Sequence, residues 1–132
     1  MIRGGVGDTL MVHFRNNTPA QMLSIHPHGV FYNKDSEGVP YNDGTGGADK
    51  IDDEVPQGGT HTCVWPIPRR AGPGPDDPSS VAWPYHSHVD ETADTNAGLI
   101  GVIIIARGSS ARGNGAPRDV DREFVSLFNV FD

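Results

Sequence analysis

Apolar and polar residues alternate most clearly near the start of the chain, in the segment DTLMVHFRN at residues 8–16. Leu10, Val12 and Phe14 occupy every second position, which is the period of a strand with one buried face, and His13 falls on the outward face. Further short runs rich in β-branched and aromatic residues predict strands at MLSIH, GTHTCVWPI, VAWPYHSH, GLIGVIIIA and REFVSLFNVF. At most one turn of helix fits DETADTNAG. Because 17 glycines and 11 prolines separate these runs, the pattern predicts an all-β sandwich.

Three irregular segments interrupt the predicted strands, at residues 33–57, 68–80 and 107–119. Loops of this length are usually functional or disordered. The chain has 132 residues, which is the size of one ordinary domain with a single core. We therefore expect a domain over residues 1–106, a flexible connector over 107–119 and a separate terminal strand over 120–132.

Composition and charge exclude several classes of partner. The net charge of −7 argues against nucleic acid and against an anionic membrane surface. The longest apolar run, Leu99 to Ala106, is much shorter than the roughly 20 residues that span a bilayer, so it predicts a buried strand. The single cysteine, Cys63, forms no internal disulfide; it shares a strand face with His61 and Trp65 and is expected to be a buried structural residue.

Two His-x-His pairs carry the candidate chemistry. They are IHPHGV, with His26 and His28, and YHSHVD, with His86 and His88. Residues i and i+2 of a strand point to the same face with their Cα atoms roughly 6.6 Å apart, so two imidazoles can converge on one metal ion or serve two adjacent ions. A single His-x-His pair is also found on ordinary surface strands of many proteins, where it binds no metal. Two such pairs in one short chain, each at the end of a β-type run, favour a metal site. Imidazole ligands suit copper, zinc, iron or nickel, with copper and zinc favoured by affinity.

The residues around the pairs support strand ends. Pro27 and Pro84 remove backbone donors, which indicates a strand edge or end at each pair. Gly29 allows the chain to turn away close to a bound metal. Asp90 and Glu91 follow the second pair as candidate acceptors for the free imidazole N–H groups.

These motifs resemble the first cupredoxin domain of multicopper oxidases, in the branch of ceruloplasmin-like proteins and two-domain laccases. The resemblance runs through nearly the whole chain and is carried by VGDTLMVHFRN, IHPHGV, WPYHSHVDETADTNAGLIGVIII and DREFVSLFNVFD. It implies an all-β, cupredoxin-like Greek-key β-sandwich or barrel. In that family four His-x-His motifs from two domains jointly hold a trinuclear copper cluster, where oxygen is reduced to water. The family resemblance also implies a secreted or periplasmic protein, although no signal peptide is recognisable after Met1.

The resemblance implies a role for each of the four histidines. His26 corresponds to the ligand of the type 2 copper, and His28 to a ligand of one type 3 copper. His86 would share that type 3 ion, and His88 would reach the other. Copper is therefore the implied cofactor, with half of the ligands of the type 2 and type 3 cluster in this chain.

Three further residues are placed by the same comparison. Tyr32 and Asp43 match positions near the cluster where the family often has a tyrosine and a carboxylate that delivers protons, so both are candidate catalytic residues. Cys63 lies in HTCVWP without a flanking histidine or a following His and Met. The chain is therefore expected to lack the type 1 copper site through which electrons enter.

Half a cluster implies partners. We expect a second cupredoxin domain or other subunits to complete it, with a homo-oligomer such as a trimer as one arrangement, and we expect the isolated chain to be inactive. The substrates implied by the family are O2 and a phenolic or metal-ion electron donor. The chain starts at what resembles the second strand of the domain, so its terminal strand, 122–131, is expected to fill the vacant edge of its own sandwich or of a neighbouring copy.

Three other interpretations account for part of the same pattern. In the first alternative, the chain has the same fold but is a non-catalytic module that binds copper or zinc or holds subunits together. A cupin also uses His-x-His, but it usually has a Glu a few residues after the second histidine, where this chain has Tyr32. The acidic segment YNDGTGGADKIDDE suggests calcium, but it lacks the ligand spacing of an EF-hand, so a solvated surface loop is the preferred interpretation.

Overall fold

The computed structural model describes residues 1–130 of the chain. These residues form strands and little helix, which confirms the all-β prediction. The elements are β1 (Ile2–Gly5), β2 (Thr9–Arg15), β3 (His26–Pro27), β4 (Thr60–Pro66), β5 (Ser80–His86), α1 (Glu91–Asn96) and β6 (Ile100–Ala106). Short 3-10 turns lie in the connections, at Lys34–Ser36, Gly47–Lys50, Arg69–Ala71 and Gly108–Ser110.

The strands form two sheets. Four strands pair in the order β1, β6, β5, β3, with β1 parallel to β6 and the other pairs antiparallel. The second sheet is the antiparallel pair of β2 and β4. Apolar side chains from both sheets meet in one core, and its largest buried members are Trp65, Ile67, Ile103 and Ile105. The chain therefore has the two-layer arrangement in which each sheet buries one face.

The alternation expected for β2 and β4 is confirmed. On β4, Cys63 and Trp65 are buried while their sequence neighbours are exposed, and on β2 His13 faces outward. Trp65 also donates its indole N–H to the carbonyl of Ser36 at 2.8 Å, which ties the long loop after β3 to the core. Burial raises the pKa of the Cys63 thiol to about 12, so this cysteine stays protonated and unreactive at neutral pH.

The hydrophobic pattern does not predict β1. Its sequence, IRGG, contains two glycines, which are unfavourable in strands. Pairing with β6 in parallel register, with Ile2 opposite Ile103, forms this strand nonetheless. A close approach explains Gly4, because a Cβ there would lie 2.5 Å from the Ile67 side chain.

The strand predicted at MLSIH is formed only in part. Leu23 makes an isolated bridge with Val55, and β3 begins only at His26. Between them, the N–H of Ser24 donates to the hydroxyl of Ser87 at 3.3 Å. A side-chain hydrogen bond thus replaces part of the expected strand pairing. Serine side chains commonly bond to backbone groups in this way.

The terminal strand predicted over residues 122–131 is not formed within 122–130, and Phe131 lies outside the described residues. An ion pair instead holds the start of this segment to the first strand, with Arg3 Nη2 2.8 Å from Glu123 Oε2. Whether the segment pairs with a strand from elsewhere stays a prediction.

The same segment lies near the four-stranded sheet. Val125 and Leu127 line a cavity together with residues of β5 and β6, the two central strands of that sheet. Both side chains remain 53% exposed, so the segment is not buried against the sheet. Phe124 and Phe128 point away and are 85% and 92% exposed.

Candidate metal centre

Strand pairing brings the two His-x-His pairs together. β3 and β5 are antiparallel in a register that sets His26 opposite His86. The backbone N–H of His28 continues this pairing by donating to the carbonyl of Pro84 at 3.0 Å. Histidines 58 or more positions apart in sequence thereby meet at one end of the four-stranded sheet.

The four imidazole rings form a compact group. The ring of His26 lies 5.1 Å from that of His28, 5.7 Å from that of His86 and 5.3 Å from that of His88, measured between centroids. The rings of His28 and His86 are 5.2 Å apart, and those of His86 and His88 are 5.5 Å apart. The shortest approach joins the Nε2 atoms of His28 and His86, at 3.0 Å.

Backbone carbonyls determine the tautomers of two of these rings. His26 Nδ1 lies 2.7 Å from the carbonyl of Glu37, and His86 Nδ1 lies 2.9 Å from the carbonyl of Ser87. A carbonyl only accepts a hydrogen bond, so each Nδ1 carries the proton and each Nε2 keeps its lone pair. This is the arrangement usual for metal-binding histidines, whose second ring nitrogen donates to a carbonyl or carboxylate.

The donor set fits a transition metal. Two imidazole nitrogens bonded to one ion at about 2.0–2.1 Å stand roughly 2.9–3.4 Å apart, and the 3.0 Å between His28 Nε2 and His86 Nε2 lies within this range. Within residues 1–130, no three His, Cys, Asp or Glu side chains are grouped to hold a single ion. The arrangement therefore fits one pair of ligands for a shared ion, with two more imidazoles beside it, rather than a finished single-metal site.

Burial keeps the rings available as ligands. It lowers the pKa of His26 and of His28 below the ordinary imidazole value, and the adjacent His86 lowers that of His28 further. A lowered pKa favours the neutral ring, which is the form that binds metal.

A buried network supports the second pair. The hydroxyl of Ser87 donates to Asp94 Oδ2 at 2.6 Å, and the N–H of His88 donates to the hydroxyl of Ser24 at 2.9 Å. Asp94 lies in α1 and is buried, so its bond to Ser87 connects this short helix to the His-Ser-His turn. Sequence reasoning missed Ser24 and Asp94, because their bonds to the His-Ser-His turn depend on tertiary contacts that the sequence does not show.

Gly29 turns the chain at the first pair. Its φ of +80° lies in the region that favours glycine. A Cβ at this position would lie 2.3 Å from the indole ring of Trp83, so Gly29 packs against that ring. The indole N–H of Trp83 donates in turn to the carbonyl of Ala71 at 2.7 Å.

Tyr32 lies beside the group and Asp43 does not contact it. The Tyr32 ring is 5.8 Å from the His26 ring, and both line a cavity of about 360 Å³. Asp43 accepts hydrogen bonds from the N–H and hydroxyl of Thr45 at 2.9 and 2.6 Å, which lower its pKa to about 2. A carboxyl with this pKa has no proton to give at neutral pH, so the geometry does not support proton delivery by Asp43, and its role stays a prediction.

Neither acidic residue after the second pair accepts the free N–H of His86. Asp90 caps α1, accepting from the N–H of Ala93 at 3.1 Å. Glu91 lies 3.9 Å from His86 Nε2 and 3.7 Å from His88 Nε2, beyond hydrogen-bond distance of both. The expectation is wrong for His86, because the carbonyl of Ser87 accepts from its Nδ1, and for His88 it stays a prediction.

The acidic loop is mostly exposed, in agreement with the surface loop preferred from the sequence. Two of its carboxylates, Asp52 and Asp53, are buried, which the sequence did not predict. Asp53 pairs with Lys50 at 2.5 Å, and Asp52 accepts the N–H of Gly38 at 2.8 Å. Burial raises the pKa of Asp52. The sequence could not show this burial, because it depends on tertiary contacts such as the bond from the N–H of Gly38 to Asp52.

The fold and the site together define a β-rich domain that presents four closely grouped imidazoles at one end of a sheet. A family model described as multicopper oxidase matches residues 1–110. The chain belongs to the multicopper oxidase family.

Similar proteins cover the whole chain. It is 46% identical over 133 residues to the ferroxidase HEPHL1 of Homo sapiens, with 100% of the chain and 11% of that protein covered. It is 44% identical over 131 residues to the non-catalytic subunit of the venom prothrombin activator omicarin-C of Oxyuranus microlepidotus, with 99% of the chain and 9% of that protein covered. The chain therefore spans about a tenth of the length of these relatives.

Solved structures confirm the fold prediction. A multi-copper oxidase from Pseudomonas Thermotolerans superposes with a TM-score of 0.61 over 92% of this chain and 29% of that chain, at 22% sequence identity. The prediction of an all-β, cupredoxin-like fold is confirmed. Within the described residues, no helix is both long and apolar enough to cross a membrane.

Proposed function

We propose that this chain is a copper-binding cupredoxin domain that contributes half of the ligands of the trinuclear site of a multicopper oxidase. His26 is assigned to the type 2 copper, His28 and His86 to one type 3 copper, and His88 to the other. The observation that carries the proposal is the 3.0 Å separation of His28 Nε2 and His86 Nε2. Two strands that are distant in sequence bring these atoms to the spacing of ligands on one ion.

The protein residues have three tasks in this proposal. The carbonyls of Glu37 and Ser87 orient the rings of His26 and His86 and leave their Nε2 lone pairs free. Burial of His26 keeps its ring neutral. When bound, copper supplies the electron transfer that reduces O2 to water.

The other half of the site lies outside this chain. A second cupredoxin domain or other subunits supply the remaining imidazoles, and a homo-oligomer such as a trimer is one way to provide them. Cys63 is a free, buried cysteine, and HTCVWP has no histidine beside it and no following His and Met, so the type 1 copper is assigned to a partner domain. The electron donor is a phenol or a metal ion, and the protein is secreted or periplasmic.

Replacing His28 or His86 by alanine tests the assignment. Each variant of the complete protein is expected to lose the shared type 3 copper, because one imidazole on an ion binds far more weakly than two. His13→Ala is the matched control, since His13 is exposed on β2 and bonds only to Thr62 Oγ1 among the described residues. Copper content by mass spectrometry and oxygen uptake are the measurements. Unchanged copper content in both variants would reject the assignment.

A non-catalytic role in assembly is the second candidate. The relative described as a non-catalytic subunit is 44% identical, nearly as similar as the ferroxidase at 46%, so overall similarity does not distinguish the two functions. Metal content does. Three coppers per complete site with oxygen uptake supports the oxidase, whereas one metal ion or none supports the assembly module.

A further inference from the structure

One peptide group in the long loop after β3 joins a buried carboxylate to a histidine. The peptide between Glu37 and Gly38 uses both of its polar groups. Its carbonyl accepts from His26 Nδ1 at 2.7 Å, and its N–H donates to Asp52 Oδ2 at 2.8 Å. Asp52, the peptide and the His26 ring therefore form one continuous chain of hydrogen bonds.

Asp52 is buried where it makes this contact. The residue is 2% exposed, and its hydrogen bond to the N–H of Gly38 is buried as well. Its other oxygen, Oδ1, has no hydrogen-bond partner among the described residues. Burying a carboxyl group with one unpaired oxygen costs free energy of folding. The bond between Asp52 and the N–H of Gly38 is therefore a specific feature of the fold that calls for a structural reason.

The position of the peptide is also constrained by packing. Gly38 has a φ of +73°, and a Cβ there would lie 2.4 Å from the carbonyl oxygen of Ile25. Only glycine can therefore bring this peptide so close to the residue that precedes His26. The loop is held against the start of β3 at the place where the histidine ring needs an acceptor.

Polarisation of the Glu37–Gly38 peptide by Asp52 affects the His26 ring. An acceptor at the N–H of a peptide increases the negative charge on its carbonyl oxygen, so consecutive hydrogen bonds strengthen one another. A stronger acceptor at Nδ1 holds the ring in the Nδ1–H tautomer and makes Nε2 a better metal ligand.

We propose that Asp52 is a positioning residue for His26 and acts on it through the Glu37–Gly38 peptide. The role of His26 as a copper ligand rests on the proposed function, but its orientation and tautomer do not. Asp52 contacts neither the ring nor a metal; it fixes the acceptor that the ring uses.

Nitrogen NMR of the His26 ring in the metal-free chain is the first test, at about pH 8, where imidazoles are neutral. In the unmodified chain the ring is expected to be the Nδ1–H tautomer, with widely separated Nδ1 and Nε2 shifts. Asp52→Ala removes the acceptor, and the two shifts are expected to move toward each other. Asp52→Asn keeps an oxygen that accepts from Gly38 but loses the charge, so a smaller change in the same direction is expected.

Asp53→Asn is the matched control. Asp53 is an adjacent buried carboxylate, but it pairs with Lys50 and not with the peptide. The shifts of His26 are expected to stay unchanged in this variant. An Nε2–H tautomer in the unmodified chain overturns the proposal without any variant. Equal effects of Asp52→Asn and Asp53→Asn, or no effect of either Asp52 variant, overturn it as well.

Electron paramagnetic resonance of the copper-loaded complete protein is the second test. Asp52→Asn is expected to alter the hyperfine splitting of the type 2 copper while copper content is retained, and Asp53→Asn is expected to leave it unchanged. If the unmodified protein binds no copper at His26, the proposed function fails, whereas the NMR result on the metal-free chain still decides the role of Asp52. An unaltered spectrum in a copper-loaded Asp52→Asn protein counts against the positioning role.

Discussion

At the scale of single residues, the chemistry depends on which ring nitrogen is free. The carbonyls of Glu37 and Ser87 take the Nδ1 protons of His26 and His86, so both Nε2 atoms keep their lone pairs. His86 Nε2 then accepts from His28 Nε2 in the metal-free chain, at 3.0 Å. A metal ion at this position replaces the proton that the two nitrogens share.

The stability of the metal-free chain is expected to fall as the pH drops below about 6.5, the ordinary imidazole pKa. The pKa values of His26 and His28 are lowered in the folded chain, so the unfolded chain takes up protons first. The stabilisation is complete above the unfolded pKa and is lost as the pH falls toward the folded values. Thermal unfolding between about pH 8 and pH 5 measures this.

Glutamine variants identify the groups responsible. The double substitution His26→Gln and His28→Gln is expected to flatten the pH dependence in this window, because the titrating rings are gone. His13→Gln is the control, since that ring is exposed on β2. A pH dependence that is equally steep in the double variant and in the unmodified chain would contradict the prediction.

At the scale of elements, the site depends on where two strands end. β3 has only two residues, and its pairing with the end of β5 sets the distance between the histidine pairs. Trp83 on β5 fills the space beside Gly29, so the turn after β3 is held by packing as well as by hydrogen bonds. The α1 helix adds the buried Asp94 from behind.

Gly29→Ala is expected to be more destabilising than an ordinary change of a glycine in the left-handed region. Gly29 combines a φ of +80° with a Cβ position 2.3 Å from the Trp83 ring, whereas Gly44 has a φ of +86° with no atom within 4 Å. We expect Gly44→Ala to cost about 1 kcal/mol of unfolding free energy and Gly29→Ala to cost about 1–3 kcal/mol more. Urea unfolding of both variants measures the difference, and equal costs would contradict the packing argument.

At the scale of the whole molecule, the predictable features are those with a local signal. The alternation in β2 and β4 and the two His-x-His pairs are visible in the sequence. β1 was not predictable, because its pairing depends on a partner about a hundred residues away. The supports of the rings were not predictable for the same reason, since backbone carbonyls have no sequence signature and Asp52 reaches the site only through a folded loop.

We expect the terminal segment to contact another part of the complete protein. Phe124 and Phe128 are 85% and 92% exposed, and exposed aromatic side chains of this kind indicate a contact surface. We expect the amides of residues 122–130 to exchange rapidly in the isolated chain and to be protected in the complete protein, where a strand partner is available. Hydrogen exchange measured by mass spectrometry on both forms tests this. Equal, rapid exchange in both would show that the segment joins no sheet.

In the proposed function His28 and His86 share one copper ion. Anomalous X-ray diffraction of crystals of the complete protein at the copper edge is the decisive measurement, because the signal locates copper independently of activity. We expect a copper ion bonded to the two Nε2 atoms at about 2.0–2.1 Å, with further copper ions next to His26 and His88. A copper-loaded protein with no anomalous peak within bonding distance of either ring would contradict the account.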